Sequence, residues 1–235
     1  MKMNLIGLRL FIGLCLFFIT FSVSGQKESA SPVKISANVD LVSRYIWRGL
    51  DIGHAPSIQP GIAVQWKEFK LGAWGAYKLT GEGGQETDFY LSKTFGFATF
   101  ALWDYWSFND TTALNFFDYR QKTTSHLLEA QLLLSGGKAF PVSFLASYFF
   151  HGSDVSKSLY LELQYERKSS FADLAFFAGY QAKGTYYASS ANFVNIGCTL
   201  KKSIPITDRL TLPVYLSLIV NPASKIPYLV AGITF

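Results

Sequence analysis

From Val33 onward, apolar and polar residues alternate with a period of two. That period belongs to strands whose two faces meet different surroundings. In the first segment Val33, Ile35, Ala37, Val39, Leu41, Tyr45 and Trp47 share one face, while Lys34, Ser36, Asn38, Asp40, Arg44 and Arg48 share the other. The pattern returns over 69–78, 86–95, 128–134, 142–151, 159–166, 173–181, 194–200 and 210–218. Segments 57–66, 97–107 and 226–235 bring the expected total to twelve strands. Segment 97–107 leaves its faces ambiguous, because Thr99 and Asp104 fall on opposite sides. Lys93 lies on an apolar face, near a strand end where its long stem can reach a polar interface. Pro60 and Pro213 donate no ladder bond, so bulges or strand ends are expected there.

A soluble sandwich would also alternate. Three features favour a membrane barrel instead. Most segments run about 10 residues, the length of a tilted membrane strand. Tyr, Phe and Trp gather at segment ends, as aromatic girdles do. Connections alternate between short ones (67–68, around Gly96, 136–140, 168–170 and 202–207) and longer ones (50–56, 80–85, 108–123, 152–156, 182–190 and 221–225). Such barrels pair short periplasmic turns with longer extracellular loops, and an even strand count puts both chain ends on the periplasmic side. In lipid, unsatisfied backbone groups cost several kcal/mol each, so the sheet must close. The expected fold is all-β: one antiparallel up-and-down transmembrane barrel. Its last strand alternates through Leu229, Ala231, Ile233 and Phe235. That ending resembles the signal read by the bacterial barrel-assembly machinery, an expected partner during biogenesis.

Composition sharpens this picture. Charged residues make up 16% of the chain and aromatics 17%, against about 25% charged in ordinary soluble domains. A disordered or nucleic-acid-binding tail is excluded, and no nucleic-acid partner is expected. Beyond residue 23 no apolar run approaches the ~20 residues of a membrane helix. Residues 1–25 read as a secretory signal: Lys2 and Arg9, an apolar run from Leu10 to Phe21, then small residues Ser22 to Gly25. The mature barrel would span 26–235, in the bacterial outer membrane. Loss of Lys2 and Arg9 lowers the formal charge from +5 by two, to +3. Cys15 leaves with the signal, so Cys198 stands alone and is expected to be an inert strand residue.

The polar faces supply the candidate pore lining: Asp40, Arg44, Arg48, Lys70, Lys78, Glu86, Asp88, Glu129, Glu162, Glu166 and Asp173. Arg44 and Arg48 could form a basic ladder that attracts anions. With so many inward acids, a salt-bridge network that fills the lumen is the favoured alternative. Gly49 suits a turn. His151-Gly152-Ser153 has the His–Ser spacing of some outer-membrane lipid hydrolases, but a nucleophilic Ser needs a base and that base an orienting partner. Only Asn195 or Glu162 suggest themselves as that partner, and no catalysis is expected. His54, His126 and His151 lack metal-ligand spacing, so no metal or cofactor is expected. Gly81 to Gly84 reads as a hairpin loop rather than a phosphate cradle. Asn109 to Thr112 could hold Ca²⁺, although polar loops usually only hydrate. The longest connection, 108–123, carries Leu114, Phe116, Phe117 and Tyr119 and is expected to fold into the mouth as a constriction.

The segment Val39 to Gly49, followed by Pro56 to Gly61, resembles the start of the TorF-like porins of Gram-negative outer membranes. The resemblance rests on Ser43, Tyr45, Trp47, Arg48, Gly49, Pro56, Ile58 and Gln59, with Glu86 to Tyr90 similar to that family's acidic-aromatic strand. It implies a signal peptide, a barrel and a pore-forming role. Barrel bore grows with strand number, and twelve strands lie between filled and open barrels. The expected function is passive diffusion of small polar solutes or ions through a narrow lumen, with membrane lipid outside. The alternatives are a rim lipid hydrolase at His151 and Ser153, and a non-conducting structural or surface-interaction barrel.

Overall fold

A computed structural model describes residues 32–81, 84–109, 115–137 and 140–235. The expected signal segment 1–25, Glu82 and Gly83 of the Gly-rich loop, and Asp110 to Leu114 of the longest connection lie outside the described residues. The strands are β1 (Val33–Val42), β2 (Ile46–Trp47), β3 (Leu50–Asp51), β4 (Ser57–Trp66), β5 (Phe69–Lys78), β6 (Gln85–Phe95) and β7 (Ala98–Phe108). They continue as β8 (His126–Ser135), β9 (Val142–Gly152), β10 (Leu159–Arg167), β11 (Asp173–Lys183), β12 (Asn192–Thr207), β13 (Leu210–Asn221) and β14 (Ile226–Thr234). Twelve of them, β1 and β4 to β14, pair antiparallel with their chain neighbours and close into a barrel. The short β2 and β3 form a separate hairpin.

The seam joins β1 to β14, where Asp40, Leu41 and Val42 oppose Thr234, Ile233 and Gly232. Phe235 extends it by exchanging backbone bonds of 2.9 and 3.1 Å with Val39. The terminal residue thus helps to close the sheet.

Directly opposed residues share a face, so register sorts the side chains. Ile35, Ile62, Leu71, Leu102, Leu163 and Leu229 point outward and are exposed, Ile35 at 72% and Leu229 at 66%. Phe97, Phe140, Phe171 and Phe235 cluster at the end that carries the termini and are exposed too. This is the apolar coat and aromatic girdle of a bilayer-spanning barrel, and it fits an outer-membrane setting. Among the described residues no helix is long and apolar enough to cross a membrane. Lys93 points outward as expected and lies over the rings of Phe69 and Phe95, at 4.5 and 4.6 Å. Pro60 sits inside β4 without a register shift, although the β4–β5 ladder opens at Gln59 and Pro60. The register shifts fall instead at Leu128/Glu129, Leu159/Tyr160, Gly179/Tyr180 and Pro205/Thr207.

One expected strand ends early. The first alternating segment leaves the wall at Val42 rather than running on to Trp47. Ser43 stops the ladder. Its N–H donates to the Ala231 carbonyl at 2.8 Å, and its side-chain oxygen accepts the Ala231 N–H at 2.9 Å. With the backbone of β14 satisfied there, residues 44–56 turn into the lumen.

Candidate functional site

The inward turn builds a plug. Trp47-Arg48-Gly49-Leu50 closes the β2–β3 hairpin, with φ of 49° at Arg48 and 80° at Gly49. Two successive positive φ values define the turn whose twist suits a two-residue hairpin. Gly49 is required twice over, by its positive φ and because a Cβ there would lie 1.8 Å from the Val194 carbonyl oxygen on β12. Its carbonyl accepts the Asn221 side-chain amide at 3.1 Å.

The tight turn aims Arg48 at the opposite wall. Its guanidinium donates to both Glu129 oxygens at 2.5 and 3.0 Å, to Tyr187 Oη at 2.6 Å and to Ser147 Oγ at 2.9 Å. It also sits 4.7 and 4.6 Å from the rings of Trp47 and Tyr160, within cation–π range. Glu129 further accepts from Tyr105 Oη at 2.8 Å and Gln131 Nε2 at 2.5 Å. Both carboxylate oxygens are bonded, Oε1 once and Oε2 three times, as a buried charge requires. Trp47 packs on Tyr105, Phe149, Tyr186 and Tyr187 with ring centroids 5.2 to 6.3 Å apart. These rings belong to the main buried apolar cluster, which therefore lies inside the lumen.

A second loop completes the plug. Asp154 accepts bonds from Ser156 Oγ, Ser156 N and Ser158 N at 2.5, 3.0 and 2.7 Å. The two Ser hydroxyls accept the N–H groups of Thr185 and Tyr186 at 2.9 and 3.1 Å. That holds Tyr187 against Arg48. Burial pushes the Asp154 carboxyl up, but these bonds outweigh it and keep it below the usual range. Gln181 fixes the far side of the loop by accepting from Tyr187 N at 2.7 Å and donating to Ala188 O at 2.7 Å.

The predicted lining residues fall into three groups. Arg48, Glu86, Asp88, Glu129 and Glu162 are in the buried lumen. There Tyr45 Oη donates to Glu86 at 3.3 Å, and Glu162 accepts from Tyr160, Gln164 and Asn195. Arg44 and Lys78 stand towards the long-loop end, Arg44 paired with Asp51 at 2.5 Å. Asp40, Lys70, Glu166 and Asp173 stand in the half nearer the termini. Both candidate anion-attracting arginines thus already hold a carboxylate. Tyr45 and Trp47, placed on the outer face by their alternation, are inside. The sequence signal that could have shown this is the Arg48-Gly49 turn.

Two cavities, each bordered by both polar and apolar side chains, occupy the termini-side lumen. One of about 660 Å³ is bordered by Asp40, Asp173, Thr199, Lys201, Tyr215 and Ser217. The other, of about 740 Å³, is bordered by Gln65, Lys70, Tyr90, Trp103, Gln131 and Gln164.

Residues 115–123 of the loop that was expected in the mouth pack against the outer wall. Phe116 contacts the outward rings of Phe89 and Trp106 at 5.9 and 5.2 Å. The reason is a polar pair on that wall. His126 Nδ1 meets Asp104 at 2.6 Å, its Nε2 meets the Phe116 carbonyl at 2.6 Å, and Tyr119 Oη donates to Asp104 at 2.7 Å. The loop covers groups that would otherwise face apolar surroundings without partners. It also resolves the ambiguous strand: Thr99 points inward and Asp104 outward. The β8–β9 bulge turns His151 outward as well, where its Nε2 lies 2.8 Å from the Tyr119 carbonyl. Ser153 instead borders a small inner cavity beside Trp47 and Glu86. Glu162 and Asn195 bond to each other within the lumen at 2.8 Å, away from His151. Among the described residues no group of three His, Cys, Asp or Glu is placed to hold a metal.

A family model described as a bacterial protein of unknown function (Gcw_chp) matches residues 26–207. The chain belongs to the Gcw_chp family. The matched region of this Gcw_chp protein runs from before β1 to the end of β12. It includes the plug hairpin, Glu129 and the loop carrying Tyr187. No curated protein and no solved structure matches the chain.

Proposed function

We propose that this Gcw_chp protein is a porin-like channel of the bacterial outer membrane. It passes small polar solutes or ions by passive diffusion and does no chemistry on them. The observation that carries this reading is the polar lumen beneath the plug, enclosed by an apolar outer coat. A purely structural barrel has no need of lumenal cavities of this size. The plug sets a narrow bore, as intermediate strand numbers suggest. The TorF-like resemblance supports the same reading, because five of the residues that carry it build the plug. Ser43 ends the ladder, Tyr45 bonds Glu86, Trp47 centres the ring cluster, Arg48 holds Glu129 and Gly49 fits against Val194.

The plug itself favours a second reading, a non-conducting barrel with a surface role. Liposome swelling separates the two. Vesicles carrying the folded protein should swell in small neutral and charged solutes and be rate-limited by solute size. No swelling, with folding verified by heat-dependent gel mobility, overturns the porin reading.

A further inference from the structure

The larger termini-side cavity has a chemistry of its own. Its wall carries the rings of Tyr90 and Trp103, stacked at 4.4 Å, with Tyr105 next in the stack at 5.5 Å from Trp103. Three glutamines, Gln65, Gln131 and Gln164, border the same space. Each amide orientation is fixed by a carbonyl or carboxylate, which can only accept, and Gln131 Nε2 also reaches Tyr105 Oη at 3.2 Å. Gln65 Nε2 donates to the Lys67 carbonyl at 3.1 Å, Gln131 Nε2 to the Glu129 carboxylate at 2.5 Å and Gln164 Nε2 to the Glu162 carboxylate at 2.6 Å. Each Oε1 is therefore left as an acceptor with no partner among the described residues. Glu129 is paired with Arg48 of the plug, and Glu162 is turned to wall donors, Tyr160 and Asn195 besides Gln164. The charged side chains on this side are Lys67, Glu68 and Lys70, of which Lys70 lies 5.8 Å from the Tyr90 ring.

A ligand matched to this wall presents a flat or C–H-rich face to the rings, several hydroxyl donors to the amide oxygens and no net charge. We propose that the cavity is a binding site for a neutral polyhydroxylated solute, a sugar or polyol. At about 740 Å³ it lies within the size range of small-molecule sites. Aromatic faces with a few placed polar groups are the usual means of fixing such a ligand's orientation. As a substrate site it rests on the porin-like reading. As a binding site it does not.

The test is tryptophan fluorescence of the purified protein in detergent, titrated with maltose and sorbitol, with gluconate and glucosamine as charged controls. The expected result is a saturable change with maltose and none with the controls. Gln164→Leu should weaken it about tenfold, the scale of one or two lost hydrogen bonds, and Tyr90→Ala, which leaves every tryptophan in place, should abolish it. Gln65→Leu, at the foot of β4, replaces Gln164→Leu if that variant fails to fold. No saturable change in a folded wild type overturns the site. So does an equal response to gluconate, or a response that the variants leave unaltered. Maltose binding without solute flux in vesicles upholds the site and overturns the porin reading. Flux without saturable binding does the reverse.

Discussion

Arg48 and Glu129 lie 81 residues apart in the chain and meet inside the barrel through two hydrogen bonds of 2.5 and 3.0 Å. Their side chains are 8% and 1% exposed. Removing one partner leaves the other charged and buried, which costs about 3–5 kcal/mol. Arg48→Ala and Glu129→Ala should each lower the temperature at which the folded gel band is lost. The double variant Arg48→Met with Glu129→Leu should recover most of that loss, because apolar replacement of a buried pair is often neutral. Additive losses in the double variant would show that the two residues act independently.

Gly49→Ala should displace the hairpin even though it adds a single methyl group. The backbone is left-handed there, and the new Cβ would meet the Val194 carbonyl at 1.8 Å. The expected loss is at least the ~1–3 kcal/mol of a backbone held in a sparsely populated region. Trypsin cleavage at Arg44 or Arg48, absent in the wild type, reports the displacement. A variant as protected as the wild type contradicts it.

Acid should loosen the plug through Asp154. Its carboxyl is held below the usual range in the folded state. The stability this contributes is therefore complete above the ordinary value of about 3.9 and is lost as pH falls through the lower folded value. Hydrogen exchange at Thr185 and Tyr186 should stay slow down to about pH 4, by that argument, and quicken below it. Asp154→Asn should be fast at neutral pH as well. Exchange that quickens between pH 6 and 7 would point to a different group.

His126→Ala should release the outer loop and leave the plug intact. The variant loses the bonds to Asp104 and the Phe116 carbonyl and the ring stack on Tyr119 at 4.1 Å. Proteolysis at Arg120 or Lys122 should rise several-fold, while fluorescence from the plug rings is unchanged. Equal proteolysis rates would mean that the loop is held by its aromatic contacts alone.

The wall of the barrel was legible in the sequence because period-two alternation survives wherever one face meets an apolar exterior. Ile35, Leu71, Leu163 and Leu229 all point as the pattern predicts. The plug was not legible, because Tyr45 and Trp47 continue the same alternation after the chain has left the sheet. A buried aromatic cluster inside and an apolar coat outside look alike one residue at a time. His151 was misplaced because a bulge adds a residue and inverts the faces beyond it. Asp104 looked out of place because its partner His126 sits on the neighbouring strand and its cover, Tyr119, comes from a loop with no period to read.

The central claim is that the lumen is polar and water-filled on the termini side and narrowed by one hairpin at Arg48. Single-channel conductance in planar bilayers tests it most directly, with wild type beside Arg48→Ala and a deletion of residues 46–51. The account predicts small discrete steps for the wild type and larger ones for both variants. Steps of equal size in all three proteins, or no steps from the folded deletion variant, would contradict it.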